Sequence, residues 1–261
     1  MTDPGSGGWL AVIGLGPGDP KWLVPEARSV LEQATDLVGY QTYLDMVPSD
    51  VRGEQRFHGS DNRVEIDRAA HALQLAADGH RVAVVSSGDP GVFAMAAAVF
   101  EAQCADDAPA PWQDVHVHVV PGITAALATA AEAGAPLGHD FCLVSLSDNL
   151  KPWSIIERRV RAAMEADLVL ALYNPVSRHR PTQLATAFDL IREHRGPATP
   201  IILGRDVGRP GGTVTVVRLD ELDLTVCDMR TVVIVGSTTT RIVAGPRGTS
   251  RVFTPRTYPE G

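Results

Sequence analysis

The chain has 261 residues, 44% of them hydrophobic, and a formal net charge of -8. This length and apolar content predict one large or two modest domains with real cores, and the acidic charge argues against a nucleic-acid partner, which would need a basic face. The three cysteines are few and far apart, so we predict neither a disulfide framework nor a metal site.

Short branched-aliphatic runs alternate with helical patterns along the chain. The predicted strands are Trp9–Gly14, Arg81–Ser86, Val115–Val119, Phe141–Leu146, Leu168–Leu172, Thr199–Leu203 and Thr231–Val235. The predicted helices are Pro25–Ala34, Arg63–Asp78, Val92–Gln103, Thr124–Ala133, Ser154–Ala166 and Thr182–His194. Near-continuous apolar strands are typical of sheets covered by helices on both faces. The pattern therefore predicts an α/β protein.

Glycine and proline are concentrated in Gly134–Asp140, between two such series. We therefore predict two α/β domains, residues 1–134 and 135–261. A second glycine-rich break at Gly208–Gly212 is typical of a hairpin turn, so a mixed sheet is expected in the C-terminal domain. The tail Arg241–Arg256 is basic and holds no acidic residue, which suits a closing segment or a partner surface.

The chain carries no sign of a membrane or export segment. No apolar run approaches the roughly 20 residues that a membrane span requires. The segment Met1–Gly8 is polar and glycine-rich, unlike a signal peptide. We expect a cytoplasmic protein with no membrane partner.

The first predicted strand leads into a glycine turn, Gly14–Asp19 (GLGPGD), at a position where α/β proteins bind ligands. A dinucleotide-binding turn would have a third small residue in place of Asp19, and Pro17 removes an amide that would contact a pyrophosphate. An adenosine ligand without phosphates fits better. A tight turn with no ligand is the alternative.

Two more glycine turns follow strands, Ser86–Gly91 (SSGDPG) and Pro121–Ala125 (PGITA). Asp89 in the first of them suits either a helix cap or a contact with polar groups of a ligand. Three turns from one domain are expected to meet at one sheet edge. That convergence indicates a ligand site more strongly than any single turn does.

The segments GLGPGD, SSGDPG, PGIT and ALYNP resemble motifs of the class III tetrapyrrole methyltransferases. The segments SDNRVEIDRA, LSDNLKPW, YNPVSRHR and TPRTY most resemble the members that act at carbon 17 on the cobalamin pathway. The resemblance runs from about Trp9 to about Tyr258, and its motifs agree in order and spacing.

The resemblance implies two α/β domains with a ligand cleft between them, S-adenosylmethionine as the methyl donor, S-adenosylhomocysteine as its product, and a homodimer. It further implies methylation of precorrin-3B with ring contraction to precorrin-4. Carried over motif by motif, the residues expected to bind the donor are Pro17, Gly88, Asp89, Val92, Phe93, Thr124, Ala125, Tyr173, Asn174 and Thr239.

Methyl transfer from a sulfonium needs orientation and desolvation rather than a nucleophilic side chain. The ring contraction removes a hydroxyl proton, so a general base would help. The candidate bases are His58, Asp61, His139 and Asp148, and the sequence prefers none of them. Cations would bind the many carboxylates of the substrate. The candidates are Arg63, Lys151, Arg178, Arg180 and Arg205, with ordinary surface charge as the alternative for some.

Three alternatives stay open. The first is the same chemistry on a cobalt-containing substrate or at another ring position, although Ser60–Arg63 favours the cobalt-free version. The second is a nucleotide-linked oxidoreductase, against which the missing third glycine counts. The third is a non-catalytic tetrapyrrole carrier, which would not need three ligand-facing turns.

Overall fold

The computed structural model describes residues 8–61, 64–177, 179–245 and 249–258. The chain forms two compact units, Met1–Thr124 and Ala125–Gly261. Each unit contains a five-stranded sheet with helices packed on it. The predicted α/β class is confirmed.

The sheet of the first unit is entirely parallel. Its strands are β1 (Trp9–Gly14), β2 (Asp36–Tyr40), β3 (Arg56–Ser60), β4 (Arg81–Ser86) and β5 (Val117–Val120). Its helices are α1 (Pro25–Gln33), α2 (Gln41–Leu44), α3 (Glu65–Ala77), α4 (Met95–Gln103) and α5 (Ala110–Gln113). The strand order is β3-β2-β4-β1-β5. β4, β1 and β5 are therefore neighbours.

Both faces of this sheet are buried because successive side chains of a strand point to opposite sides. Leu10 and Val12 of β1 pack in the cluster that contains α3 and α4. Ala11 and Ile13 pack in the cluster that contains α1 and α2. This double burial explains the unbroken aliphatic character of the strand.

The second unit contains a mixed sheet, as expected from the hairpin signal at Gly208–Gly212. Its strands are β6 (Gly134–Ala135), β7 (Phe141–Ser145), β8 (Val169–Tyr173), β9 (Pro200–Arg205), β10 (Thr213–Arg218), β11 (Thr231–Val235), β12 (Arg241–Ala244) and β13 (Ser250–Phe253). Its helices are α6 (Ala125–Ala133), α7 (Trp153–Glu165) and α8 (Gln183–His194). The main sheet has the order β10-β9-β11-β8-β7, in which only β7 and β8 pair in parallel.

The basic tail forms a small second sheet in this unit. β12 pairs antiparallel with β13, and β13 pairs in parallel with β6. The tail therefore closes against the segment that directly follows α6.

The unit boundary lies earlier in the chain than the sequence predicts. Helix α6 was assigned to the first domain, but Ala126 and Ala130 pack with Val232 and Ile234 of β11. The helix lies so close to β9 that a Cβ on Gly204 would be 2.0 Å from the Thr129 hydroxyl oxygen. The missing side chain of Gly204 allows this approach. Helix α6 therefore belongs to the second unit, whose boundary is at Thr124 instead of residue 134.

A buried carboxylate anchors the start of β2. Asp36 is 0% exposed, and its two oxygens lie 2.8 Å from His58 Nε2 and 2.8 Å from His80 Nδ1. The Thr35 hydroxyl donates to it at 2.7 Å. Burial by itself would raise the pKa of Asp36, but the hydrogen bonds from both histidines and Thr35 outweigh it and lower the pKa to about 2.

The Asp36 carboxylate should make the stability of the fold depend on pH. A lowered folded-state pKa stabilises the fold above the ordinary value of 3.8, and the stabilisation is lost as the pH falls towards about 2. We expect the difference in unfolding free energy between wild type and Asp36→Asn to shrink by about 2 kcal/mol over that interval. Urea unfolding measures it. The control is Asp106→Asn, because Asp106 is exposed. If the loss of unfolding free energy relative to wild type depends on pH equally in both variants, the prediction is contradicted.

Candidate functional site

The three glycine turns of the first unit meet at the carboxyl edge of the sheet, because β4, β1 and β5 are adjacent and parallel. Gly16 and Gly88 exchange two main-chain hydrogen bonds of 3.1 and 2.8 Å. Both have φ of 70°, a conformation that favours glycine. We name this region the glycine edge; it comprises Gly14–Asp19, Ser86–Gly91 and Pro121–Thr124.

Two other glycines allow the main chains to touch. A Cβ on Gly14 would lie 2.4 Å from the carbonyl oxygen of Gly88, and a Cβ on Gly122 would lie 2.2 Å from the same oxygen. No side chain fits at such distances. The centre of the glycine edge is therefore built from main chains in direct contact with one another.

Asp89 joins the second turn to the third. One carboxylate oxygen accepts from the Gly91 amide at 2.8 Å and the other from the Gly122 amide at 3.0 Å. Helix α4 begins only at Met95. Asp89 is therefore a brace between turns and does not cap that helix.

The other residues of the first unit that are predicted to bind the methyl donor lie on the same edge of the sheet. Pro17 is buried, and Thr124 at the end of the third turn is 6% exposed. Val92 is half-buried, whereas Phe93 is 50% exposed. Asp19 accepts from the Lys21 amide at 3.0 Å and thereby caps the short 3-10 turn that follows.

Phe93 combines exposure with strain, because its φ of 53° is in the left-handed region. We expect Phe93→Gly to be more stable than Phe93→Ala by about 1 kcal/mol, because only glycine relieves that strain. This reverses the usual order of the two residues. Thermal unfolding of the two variants measures the difference, and an alanine variant of equal or greater stability would contradict it.

An edge rich in polar side chains lies in the second unit. The carboxyl ends of β7, β8 and β9 share this edge with the amino end of the antiparallel β11. We name it the polar edge; it comprises Ser145–Lys151, Tyr173–Ser177 with Arg180, Arg205–Asp206 and Asp228–Thr231. Here the structure brings together Lys151, Tyr173, Asn174, Arg180 and Arg205, which the sequence singles out separately.

Tyr173 and Asn174 end β8 and are both fixed by hydrogen bonds. The Tyr173 hydroxyl accepts from the Ala126 amide at 2.8 Å, which ties β8 to the start of α6 beside Ala125. The side-chain nitrogen Nδ2 of Asn174 donates to the Ser145 hydroxyl at 2.9 Å. The two residues predicted to bind the methyl donor are thus held by neighbouring elements of the same unit.

Thr239 does not belong to this edge. It follows β11, which is antiparallel to β8, and Val235 at the end of β11 pairs with Leu170 near the start of β8. Thr239 therefore lies at the opposite edge of the sheet, where its hydroxyl is 3.1 Å from that of Ser237. The residue of β11 on the polar edge is its first, Thr231, which the sequence does not single out.

The candidate cations have different surroundings. Lys151 donates to the Ser147 carbonyl at 3.2 Å, and burial, followed by repulsion from Arg159 and Arg180, lowers its pKa. Arg205 is 39% exposed in its side chain and meets one oxygen of Asp228 at 2.9 and 3.1 Å. Its charge is already paired in this structure.

The expectation that Arg180 binds substrate needs correction. The residue is 6% exposed, and its guanidinium donates to the main-chain carbonyl of Asn174 at 3.0 Å. The guanidinium is enclosed by protein atoms and offers a substrate carboxylate almost no exposed surface. Arg63 and Arg178 lie outside the described residues.

Geometry separates three of the candidate bases. His58 contacts Asp36 through Nε2, and its Nδ1 is 3.1 Å from His71 Nε2, so both ring nitrogens are engaged. His139 precedes β7 at the opposite edge, with its ring 5.1 Å from that of Tyr258. Asp148 lies on the polar edge with its side chain 29% exposed.

The fourth candidate base, Asp61, follows β3 at the carboxyl edge of the first-unit sheet. Its main-chain carbonyl accepts from the buried Arg68. Within the described ranges, no group of three or more His, Cys, Asp or Glu side chains could hold a metal ion. None of the helices in those ranges is long and apolar enough to cross a bilayer.

The sequence matches the tetrapyrrole (corrin/porphyrin) methylases over residues 10–223. It is 51% identical over 251 residues to a precorrin-3B C(17)-methyltransferase from Sinorhizobium sp, covering 96% of this chain and 97% of that protein. It is 41% identical over 245 residues to a probable cobalt-factor III C(17)-methyltransferase from Salmonella typhimurium, covering 94% and 99%. The crystal structure of the methyltransferase CobJ matches with a TM-score of 0.88 at 48% identity, covering 95% of this chain and 100% of that one. The chain belongs to the tetrapyrrole (corrin/porphyrin) methylases.

Proposed function

We propose that this chain transfers a methyl group from S-adenosylmethionine to carbon 17 of precorrin-3B, with ring contraction to precorrin-4. The glycine edge carries the donor half of the proposal. Its centre is main chain only, since a Cβ at Gly14 or Gly122 would overlap the Gly88 carbonyl. Its first turn has Pro17 where a phosphate-binding turn would offer an amide.

The residues present fit a donor of this kind. We assign to it Pro17, Gly88, Asp89, Val92, Phe93, Thr124, Ala125, Tyr173 and Asn174, with Asp89 acting as a brace. When bound, S-adenosylmethionine supplies an activated methyl on its sulfonium. The residues of the protein bind and orient it, and the tightly joined turns do so without reorganisation.

The polar edge supports the acceptor half. Lys151 and Arg205 lie on it, and we assign both to the substrate carboxylates together with Arg63 and Arg178 from the sequence motifs. Asp148 lies on the same edge, half-buried, and is the base we propose for the hydroxyl proton. The relative from Sinorhizobium, named for precorrin-3B, is more similar to this chain than the Salmonella relative named for cobalt-factor III.

Calorimetric titration tests the donor. We expect the protein to bind S-adenosylhomocysteine and to give no heat with NADH. Binding of NADH alone would overturn the proposal in favour of an oxidoreductase, and binding of neither would overturn it as well.

Incubation with labelled donor tests the acceptor. We expect one methyl transferred to precorrin-3B per turnover, with a change in its visible spectrum. Unchanged precorrin-3B beside methylated cobalt-factor III would assign the chain to the cobalt-containing substrate, and unchanged samples of both would indicate a carrier.

We also propose that the protein acts as a homodimer in the cytoplasm. The resemblance to the family supports this assembly, and the composition described above supports the location. Light scattering after gel filtration tests the assembly, for which we expect twice the mass of one chain.

A further inference from the structure

Arg180 is a buried cation that faces protein atoms. Its side chain is 7% exposed. One terminal nitrogen donates to the carbonyl oxygen of Asn174 at 3.0 Å, and the other is 3.7 Å from the sulfur of Met229. The nearest carboxylate oxygen, on Asp148, is 3.9 Å from Nε. The strongest directional contact of this charge is therefore a main-chain carbonyl.

That carbonyl belongs to a residue whose backbone conformation is uncommon outside glycine. Asn174 has φ of 53°, in the left-handed region. Asparagine adopts this region more readily than other non-glycine residues do, and local hydrogen bonds select it. Asn174 is fixed on two sides, because its side chain donates to Ser145 at 2.9 Å and its carbonyl accepts from Arg180.

Arg180 is itself held in place by its own main chain. Its amide donates to the Ser177 carbonyl at 3.0 Å, and its carbonyl accepts from the Ser177 amide at 3.2 Å. These two bonds join Ser177 to Arg180 in the loop that follows β8. The guanidinium therefore reaches back to Asn174 from a fixed point of the same loop.

We propose that Arg180 is a positioning residue for the methyl donor: it holds Asn174 in the left-handed conformation in which that residue binds the donor. The inference rests on the proposed function, which assigns Asn174 to the donor. It differs from a role in substrate binding, because the guanidinium donates to a main-chain carbonyl of its own loop. Arginine suits this task since a charged donor forms a stronger bond to a carbonyl than a neutral one does.

The test compares Arg180→Met and Arg180→Lys with Arg195→Met. Arg195 is an equally buried arginine of the same unit that donates to main-chain carbonyls, including those of Gly236 and Leu168, at the opposite edge. Arg195 also pairs with Asp167 at 3.1 Å, so its loss sets an upper bound on the general effect of removing such a group. Titration with S-adenosylhomocysteine measures donor affinity below the unfolding temperature of every variant, and initial rates give KM for the donor and for precorrin-3B.

We expect Arg180→Met to weaken donor binding about tenfold and to raise the donor KM by a similar factor. The KM for precorrin-3B should change less than twofold. Arg180→Lys keeps a hydrogen-bond donor for the Asn174 carbonyl, so it should recover part of the lost affinity for S-adenosylhomocysteine. It also provides the comparison if the methionine variant does not fold. Arg195→Met should lower the unfolding temperature with donor affinity within twofold of wild type.

Two results would overturn the inference. Donor affinity within twofold of wild type in a destabilised Arg180 variant would make the residue merely structural. A rise confined to the KM for precorrin-3B would make it a substrate contact. Wild-type protein without affinity for S-adenosylhomocysteine is a different result, because it would remove the proposed function itself.

Discussion

Replacing Gly122 with alanine is expected to weaken the binding of S-adenosylhomocysteine by about 100-fold, because the three turns can no longer meet. The new Cβ would lie 2.2 Å from the Gly88 carbonyl oxygen and 2.9 Å from the Gly14 Cα atom. All these atoms are main chain and cannot rotate away. The turns must therefore separate, which displaces the donor contacts that we propose on two of them and costs about 1 to 3 kcal/mol of stability.

Calorimetric titration and thermal unfolding together measure this result. Gly53→Ala is the matched control, because its Cβ would be 3.6 Å from the flexible side chain of Gln55, an ordinary contact. It lies in the same unit but not on the glycine edge. A Gly122→Ala variant that binds as tightly as this control would show that the spacing of the turns does not limit binding.

The second large effect concerns Asp89. Asp89→Ala leaves the amides of Gly91 and Gly122 without their acceptor, and we expect donor affinity to fall by about 10- to 100-fold. Asp89→Asn keeps one acceptor oxygen, so its loss should be smaller. The physical reason is the loss of the brace between the second and third turns.

Titration of both variants with S-adenosylhomocysteine provides the measurement. Asp223→Asn is the control, because the Asp223 carboxylate accepts from the Thr225 amide at 2.9 Å in an exposed 3-10 turn of the second unit. It tests the loss of a similar local bond away from both edges. Equal affinities for all three variants would contradict a bracing role for Asp89.

The fold was predictable where a strand is aliphatic throughout. β1, β4 and β11 match the predicted bounds because both their faces are buried, which leaves long apolar runs in the sequence. β2 and β3 were missed. β2 contains Gly39, where a Cβ would be 2.6 Å from a Val85 methyl, and β3 is an edge strand with mostly exposed side chains. These segments form strands because of their neighbours in the sheet, which the local sequence does not reveal.

The candidate site was predictable to the extent that its backbone demands glycine. The turns around Gly14, Gly88 and Gly122 carry that signal, and they do meet at one edge. The edge on which Thr239 lies could not be predicted, because strand direction decides it and β11 runs antiparallel to β8. Arg180 was misassigned because the sequence of a loop does not reveal which of its charges point inwards.

The all-backbone centre of the glycine edge also bears on how this enzyme could be re-engineered. Three mutually touching main chains leave no side chain there to vary, so laboratory evolution cannot adjust that centre in small increments. Residues around it, such as the exposed Phe93, and those on the polar edge, such as Lys151 and Arg205, do have side chains to exchange. A library aimed at new acceptors should randomise Lys151 and Arg205, which we propose to contact the acceptor, and leave Phe93 and the three glycines unchanged.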